Sequence, residues 1–323
     1  MQEKIERFLN DLRIDPEISE GTTNVRYYDL KNFSEWLSSK GIDREITDLK
    51  ASTLRSYLLR QKQEFSPNTV KNRYISLQEL YKHALIDSDR ENPIDSLKSG
   101  DFIPSRTSKN EEQIARDEMG LDFYLEEQEY RAMLDNVRGP KLRNRCILSV
   151  LYHCGLRAGE AKCLKVEHVN FEDEILTVPE VKTPERYVPL LASTINLLDK
   201  YLNHGYRDAL VDRYSPTEYL FVSENGVQLA DPVIRNVVDD SASKAGIQEV
   251  LYEDSGGCER KHVHPHLLRH TFGQRMANER QMPMPMLMKI MGHTDIETAQ
   301  QYQRQREEVA AESAKRFMRL SDD

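Results

Sequence analysis

Six residues of this 323-residue chain are of the types that could attack and hold a phosphodiester. His266 and Arg269 stand three apart in PHLLRH, so a helix presents both on one face. His293 follows Gly292 at the close of the next apolar segment, and Tyr302 sits at i+9 from His293. Upstream, Arg157 lies in LYHCGLRAGE and Lys182 in ILTVPEVKTPERYVPL. A phenol can attack phosphorus, while planar, permanently charged guanidinium groups hold the non-bridging oxygens as charge builds on them. A free phenol has a pKa of about 10 and is almost wholly protonated near neutral pH. It needs neighbouring cations or a proton acceptor, and the imidazoles of His266 and His293 suit proton transfer and phosphate binding.

Each of these residues also has a plainer reading. A tyrosine near a helix end usually packs, an arginine near Glu160 makes a surface ion pair worth little, and a lysine in a turn is solvated. The gathering of all these residue types carries the chemical reading, with Gly155-Leu156-Arg157 coming just after the apolar helix ILSVLYH. A rival reading of the same region is a zinc site, since Cys258, His262, His264, His266 and His270 cluster in sequence. The Cys-x3-His-x-His spacing matches no standard finger. The run MPMPMLMKIM reads as core, with Pro283 and Pro285 at a helix start.

The elements that must position these residues are mostly helical. Apolar spacing predicts helices over 1–13, from about Gly21 to Gly41, over 51–63, and from Pro67 to about Ile86, with Ser66 as N-cap. Asn92-Pro93 ends that bundle, and 98–120 reads as a linker with a short helical piece at 111–117. Beyond it, helices are expected at about 126–137, 141–153, 157–165, 191–203, 231–245, 265–280, 284–291, 295–302 and 305–318. Residues 174–178 and 186–190 alternate around a turn at Thr183-Pro184 and read as a β-hairpin carrying Lys182. In the last segment Val309, Ala310, Ala314, Phe317 and Leu320 form one apolar helix face that must be covered. The domain reading is 1–97, a linker over 98–120, and 121–323.

Composition bears on the partner. The chain is 38% hydrophobic and 31% charged, which fits small, well-solvated helical domains. Its net charge is −9, an unusual sign for a protein that binds nucleic acid. Acidic and basic residues balance over 1–110, so the excess acid lies in 111–323. Net charge governs long-range attraction, while a local basic face can still hold phosphates. The four cysteines form no CxxC pair, the start MQEKIERFLNDLR is not a signal peptide, and no apolar run approaches membrane length. A reduced, cytoplasmic protein is expected.

The segments GLRAGE, PHLLRHTF, MGHTDIETAQQY and KTPERYVPL resemble the tyrosine recombinases, the phage integrases and Xer-type enzymes. The resemblance implies a mainly α, two-domain protein. It would pair an N-terminal helical SAM-like DNA-binding bundle with a mixed catalytic domain holding a small antiparallel sheet. It implies Tyr302 as nucleophile, Arg157 and Arg269 as phosphate clamp, Lys182 as the acid on the departing 5′-oxygen, and His266 and His293 as helpers. It implies double-stranded DNA as partner, a homotetramer on paired sites, and neither cofactor nor metal. Two alternatives stay open at this stage: a type IB-like topoisomerase, and a DNA-binding protein without catalysis.

Overall fold

The computed structural model describes residues 2–16, 18, 20–103, 111–181, 183–211, 217–253 and 258–292. The chain packs as two units. One comprises the chain up to Ala115 together with Tyr252–Arg260, and the other Arg116–Leu251 and the chain from Lys261 on.

In the first unit four helices follow from the sequence signals: α1 (Gln2–Ile14), α2 (Glu20–Ser39), α3 (Ala51–Glu64) and α4 (Pro67–Ala84). Ser66 caps α4 by accepting the Thr69 N–H at 3.4 Å, with Pro67 in the first turn. Past the end of α2, the Ile42 N–H reaches back to the Leu37 carbonyl at 3.0 Å. Phe8, Leu30, Phe33, Leu54, Tyr57 and Tyr81 meet in one buried core. Phe102, inside the stretch read as linker, is fully buried in that same core. The expected helical piece within that stretch is α5 (Glu111–Met119).

The second unit holds α6 (Glu127–Asp135), α7 (Lys141–His153), α8 (Ala158–Cys163), α9 (Ala192–Asn203), α10 (Asp231–Lys244), α11 (Pro265–Gln274) and α12 (Met284–Met291). Buried on nearly every side, α7 is the central helix, with Cys146, Ile147, Leu148, Val150 and Leu151 at no measurable exposure. The expected hairpin forms from β2 (Ile175–Val178) and β3 (Arg186–Pro189), antiparallel with Val178 opposite Arg186. A strand absent from the sequence reading, β1 (Val169–Asn170), adds to its outer edge. Two residues cannot show an alternation, so no sequence period marks it. A second two-stranded sheet, β4 (Val250–Glu253) with β5 (Glu259–Lys261), was likewise not foreseen.

One helix differs from expectation. The segment 265–280 is α-helical only to Gln274 and then widens into a π turn over Arg275–Glu279. Arg275 there lies over the Tyr152 ring at 5.2 Å. The helices expected over 295–302 and 305–318 lie outside the described residues.

Candidate active site

The second unit brings Arg157 and Arg269 together around a carboxylate, Glu160. Gly155 makes this possible. It ends α7 with φ +64, a region an L side chain rarely adopts, and a Cβ on it would sit 2.5 Å from the Phe272 ring. The sharp reversal there delivers Arg157 to the start of α8, where it is the N-cap. Glu160, three residues on, turns back and accepts the Arg157 backbone N–H at 2.8 Å and its Nη1 at 2.9 Å. This is the return half of a capping box, with the acid at the positive end of the helix.

Arg269 reaches the same place from α11. It is 1% exposed and donates to the Gly155 carbonyl at 2.6 Å and the Met291 carbonyl at 2.5 Å. Its Nη1 is 3.8 Å from Glu160 Oε2. Arg157 differs in being partly open, with 36% of its side chain exposed. Among the described residues, its guanidinium bonds only to Glu160, which leaves N–H groups for an incoming anion.

A third arginine, missed in the sequence reading, completes the cluster. Arg186 opens β3 and is buried, because the strand alternates and puts Arg186 with Val188 on the inner face. It grips Glu160 in a fork, Nη1 to Oε1 at 3.0 Å and Nη2 to Oε2 at 2.7 Å. Its Nε donates to the Ile290 carbonyl at 2.7 Å, at the C-terminal end of α12. The signal that could have found it was an arginine on the apolar face of a strand. Glu160 also went unassigned, although its i+3 spacing from Arg157 was visible.

Burial pushes the Glu160 carboxyl up, but the hydrogen bonds and charge of Arg186, the Arg157 N–H and the charge of Arg269 outweigh it. The net shift is downward, so Glu160 stays ionised. Three guanidinium groups against one carboxylate leave a local surplus of two positive charges. A local surplus of this kind attracts anions whatever the net charge of the whole chain.

His266 is exposed at the first turn of α11, its ring parallel to that of His264 with centroids 6.3 Å apart. His270 is buried and meets the Phe123 ring edge-on at 4.1 Å. The Arg116 guanidinium sits 2.7 Å from His262 Nδ1 and 3.5 Å from His264 Nε2, so a cation already faces two of the four imidazoles of the supposed zinc set. Among the described residues, no three His, Cys, Asp or Glu side chains are placed to hold a metal. Lys182, His293 and Tyr302 lie outside the described residues. Their described neighbours are Thr183, buried beside Arg186 at 3.3 Å, and Gly292, the left-handed cap of α12 with φ +62.

A mostly helical second unit with three arginines around one carboxylate, and a four-helix bundle before it, is the arrangement that the family comparisons address. Residues 124–308 match the Phage integrase family, and residues 5–86 match its N-terminal SAM-like domain. The chain belongs to the phage integrase family: it is a tyrosine recombinase, an enzyme that cleaves and rejoins DNA. It is 26% identical to the tyrosine recombinase XerC of Oceanobacillus iheyensis over 302 residues, covering 92% of this chain and 90% of that protein. To the tyrosine recombinase XerD of Pseudomonas aeruginosa it is 27% identical over 302 residues, covering 92% and 91%. Its fold is shared with the Tn1549 transposon integrase solved with transposon right end DNA, at TM-score 0.67, 19% identity, and 93% and 94% coverage. The XerH recombinase bound to its difH substrate matches at TM-score 0.63, with 21% identity over 90% of this chain and 78% of that one. Among the described residues no helix is long and apolar enough to cross a membrane.

Proposed function

We propose that Tyr302 is the nucleophile of this site-specific recombinase. The observation that carries the reading is the pairing of Arg157 and Arg269 on Glu160, with Arg157 still open to an anion. In the proposed reaction, the Tyr302 oxygen attacks a backbone phosphate of double-stranded DNA. The bond to the 5′-oxygen breaks, which leaves a 3′-phosphotyrosine and a free 5′-hydroxyl. A 5′-hydroxyl from a partner duplex then attacks the phosphotyrosine and releases Tyr302. One ester replaces another at each step, so the reaction needs no external energy source.

Arg157 and Arg269 hold the non-bridging oxygens as negative charge grows on them. Lys182 protonates the departing 5′-oxygen, and His266 and His293 assist proton movement and bind the phosphate. No cofactor or metal is assigned. Residues 1–97 and 121–323 act as the two DNA-holding domains, joined by 98–120. Four protomers on two sites, in the cytoplasm, are the proposed assembly. The test is covalent capture of DNA by the wild-type chain and its loss in Tyr302→Phe.

A further inference from the structure

We propose that Arg186 is a positioning residue for the strand-cleavage step: it satisfies Glu160 so that Arg157 and Arg269 keep their charge for the phosphate. The proposal rests on the reading of Arg157 and Arg269 as the phosphate clamp.

The geometry separates the three arginines by what each is left to do. Arg186 is 4% exposed, and its donors are engaged by the protein: Nη1 and Nη2 hold both Glu160 oxygens, Nη1 also faces Thr183 Oγ1 at 3.3 Å, and Nε holds Ile290. Its three side-chain nitrogens are thus all taken up by acceptors within the protein. The Arg157 guanidinium meets Glu160 through a single nitrogen, and Arg269 lies at 3.8 Å, beyond hydrogen-bond length. The carboxylate therefore gives its two-pronged contact to Arg186, whose nitrogens are all engaged within the protein. A bidentate contact is the strongest form of this pair, and it is directional. Without Arg186, the same buried carboxylate would have only Arg157 and Arg269 to neutralise it, since an unpaired buried charge is costly. Both would turn toward Glu160 and away from phosphate.

Arg186 is also the joint between three pieces of the site. It ties the turn residue Thr183 to α8 through Glu160, and β3 to the last carbonyls of α12 through Ile290. A Cβ at Gly292 would lie 3.0 Å from its Nη1, so the turn that leads on to His293 is laid directly against this guanidinium. Lysine could not reproduce these contacts, because it offers one point charge in place of a fork.

The test is single-turnover covalent capture of DNA. The probe is a pool of nicked duplexes of random sequence, from which the wild-type chain's own adducts select one duplex for all variants. Arg186→Gln should slow adduct formation by about a hundredfold, comparable to loss of one preorganised charge-stabilising group. Half-saturation of DNA binding should shift by less than about threefold, because many phosphate contacts share that affinity. Removing the carboxylate's charge as well, in Glu160→Gln with Arg186→Gln, should restore the rate to within about tenfold of wild type. A residue that only holds the fold would show no such rescue.

Arg186→Gln at the wild-type rate, or a double variant no faster than the single one, overturns the proposal. If the single variant does not fold, the double variant decides alone: within about tenfold of wild type supports the proposal, and slower than about a hundredfold overturns it. An adduct that persists in Tyr302→Phe would sink the nucleophile assignment and leave the Arg186 comparison standing. Absence of any wild-type adduct would sink both.

Discussion

Arg269 donates to the carbonyl of Gly155 at 2.6 Å, so it is fastened to the turn that delivers Arg157. Its other end holds the Met291 carbonyl at the end of α12. The guanidinium thus fixes the start of the Arg157 segment and the end of the helix that leads to His293. The nitrogen that holds the Gly155 carbonyl, Nη1, is also the one nearest Glu160, at 3.8 Å.

Arg157→Lys separates charge from geometry. Lysine keeps a cation but loses the planar fork that can hold Glu160 and a phosphate oxygen together. The expected result is a fall in cleavage rate of at least ~10²-fold, with DNA affinity little changed. The measurement is a pair of curves, adduct formation and binding, on the same duplex. Equal losses in both would make Arg157 a docking residue only.

Gly155→Ala tests the turn itself. A methyl group there meets the Phe272 ring at 2.5 Å, on a backbone with φ +64. Backbone strain and overpacking together should cost at least about 2 kcal/mol. The variant should melt several degrees lower, and the folded fraction should cleave more slowly because Arg157 and the Arg269 acceptor both shift. A melting temperature equal to wild type would show that the turn relaxes freely.

His153, at the end of α7, gives a pH prediction. Burial, helped by the charge of Arg275 and opposed by Glu127, lowers its pKa from 6.5 to about 4. Its Nδ1 faces the hydroxyls of Ser149 and Thr194 at 3.2 and 3.0 Å. Below pH 6.5 the unfolded chain takes up a proton that the folded chain refuses until about pH 4. Stability from this residue is therefore present above pH 6.5 and lost as pH falls through that window. Thermal melting across the window should slope less in His153→Asn than in wild type, and parallel slopes would contradict the assignment.

Much of this was legible in the sequence, for reasons that differ by residue. Helices such as α4 were readable because Ser66-Pro67 marks a start and the apolar period continues for several turns. Arg157 and Arg269 were readable because they stand in ordered short motifs. Glu160 and Arg186 were not, because their role depends on a contact between positions 26 apart, and an ion pair leaves no period in the sequence. The strand β1 escaped for want of length, and the π turn after Gln274 because its residues are ordinary helix formers.

The tail carries a prediction about assembly. In the segment just after Tyr302, the spacing of Val309, Ala310, Ala314, Phe317 and Leu320 predicts one apolar helix face. If a neighbouring protomer covers that face, deleting 306–323 should leave a folded protein that binds one site and fails to pair two. Sedimentation with a two-site duplex, beside melting of the free protein, reads this out. A truncated chain that melts far lower, with pairing intact in whatever stays folded, would place the face within its own domain.

The most direct measurement is covalent capture by Tyr302→Phe. The substitution removes the phenol oxygen and keeps the ring. On a nicked duplex that traps the wild-type adduct, the variant should bind with unchanged affinity and form no covalent complex on a denaturing gel. Peptide mapping of the wild-type adduct should place the DNA on the peptide that holds Tyr302. A covalent complex that survives in Tyr302→Phe, or a wild-type adduct mapped to another residue, would contradict the assignment of the nucleophile.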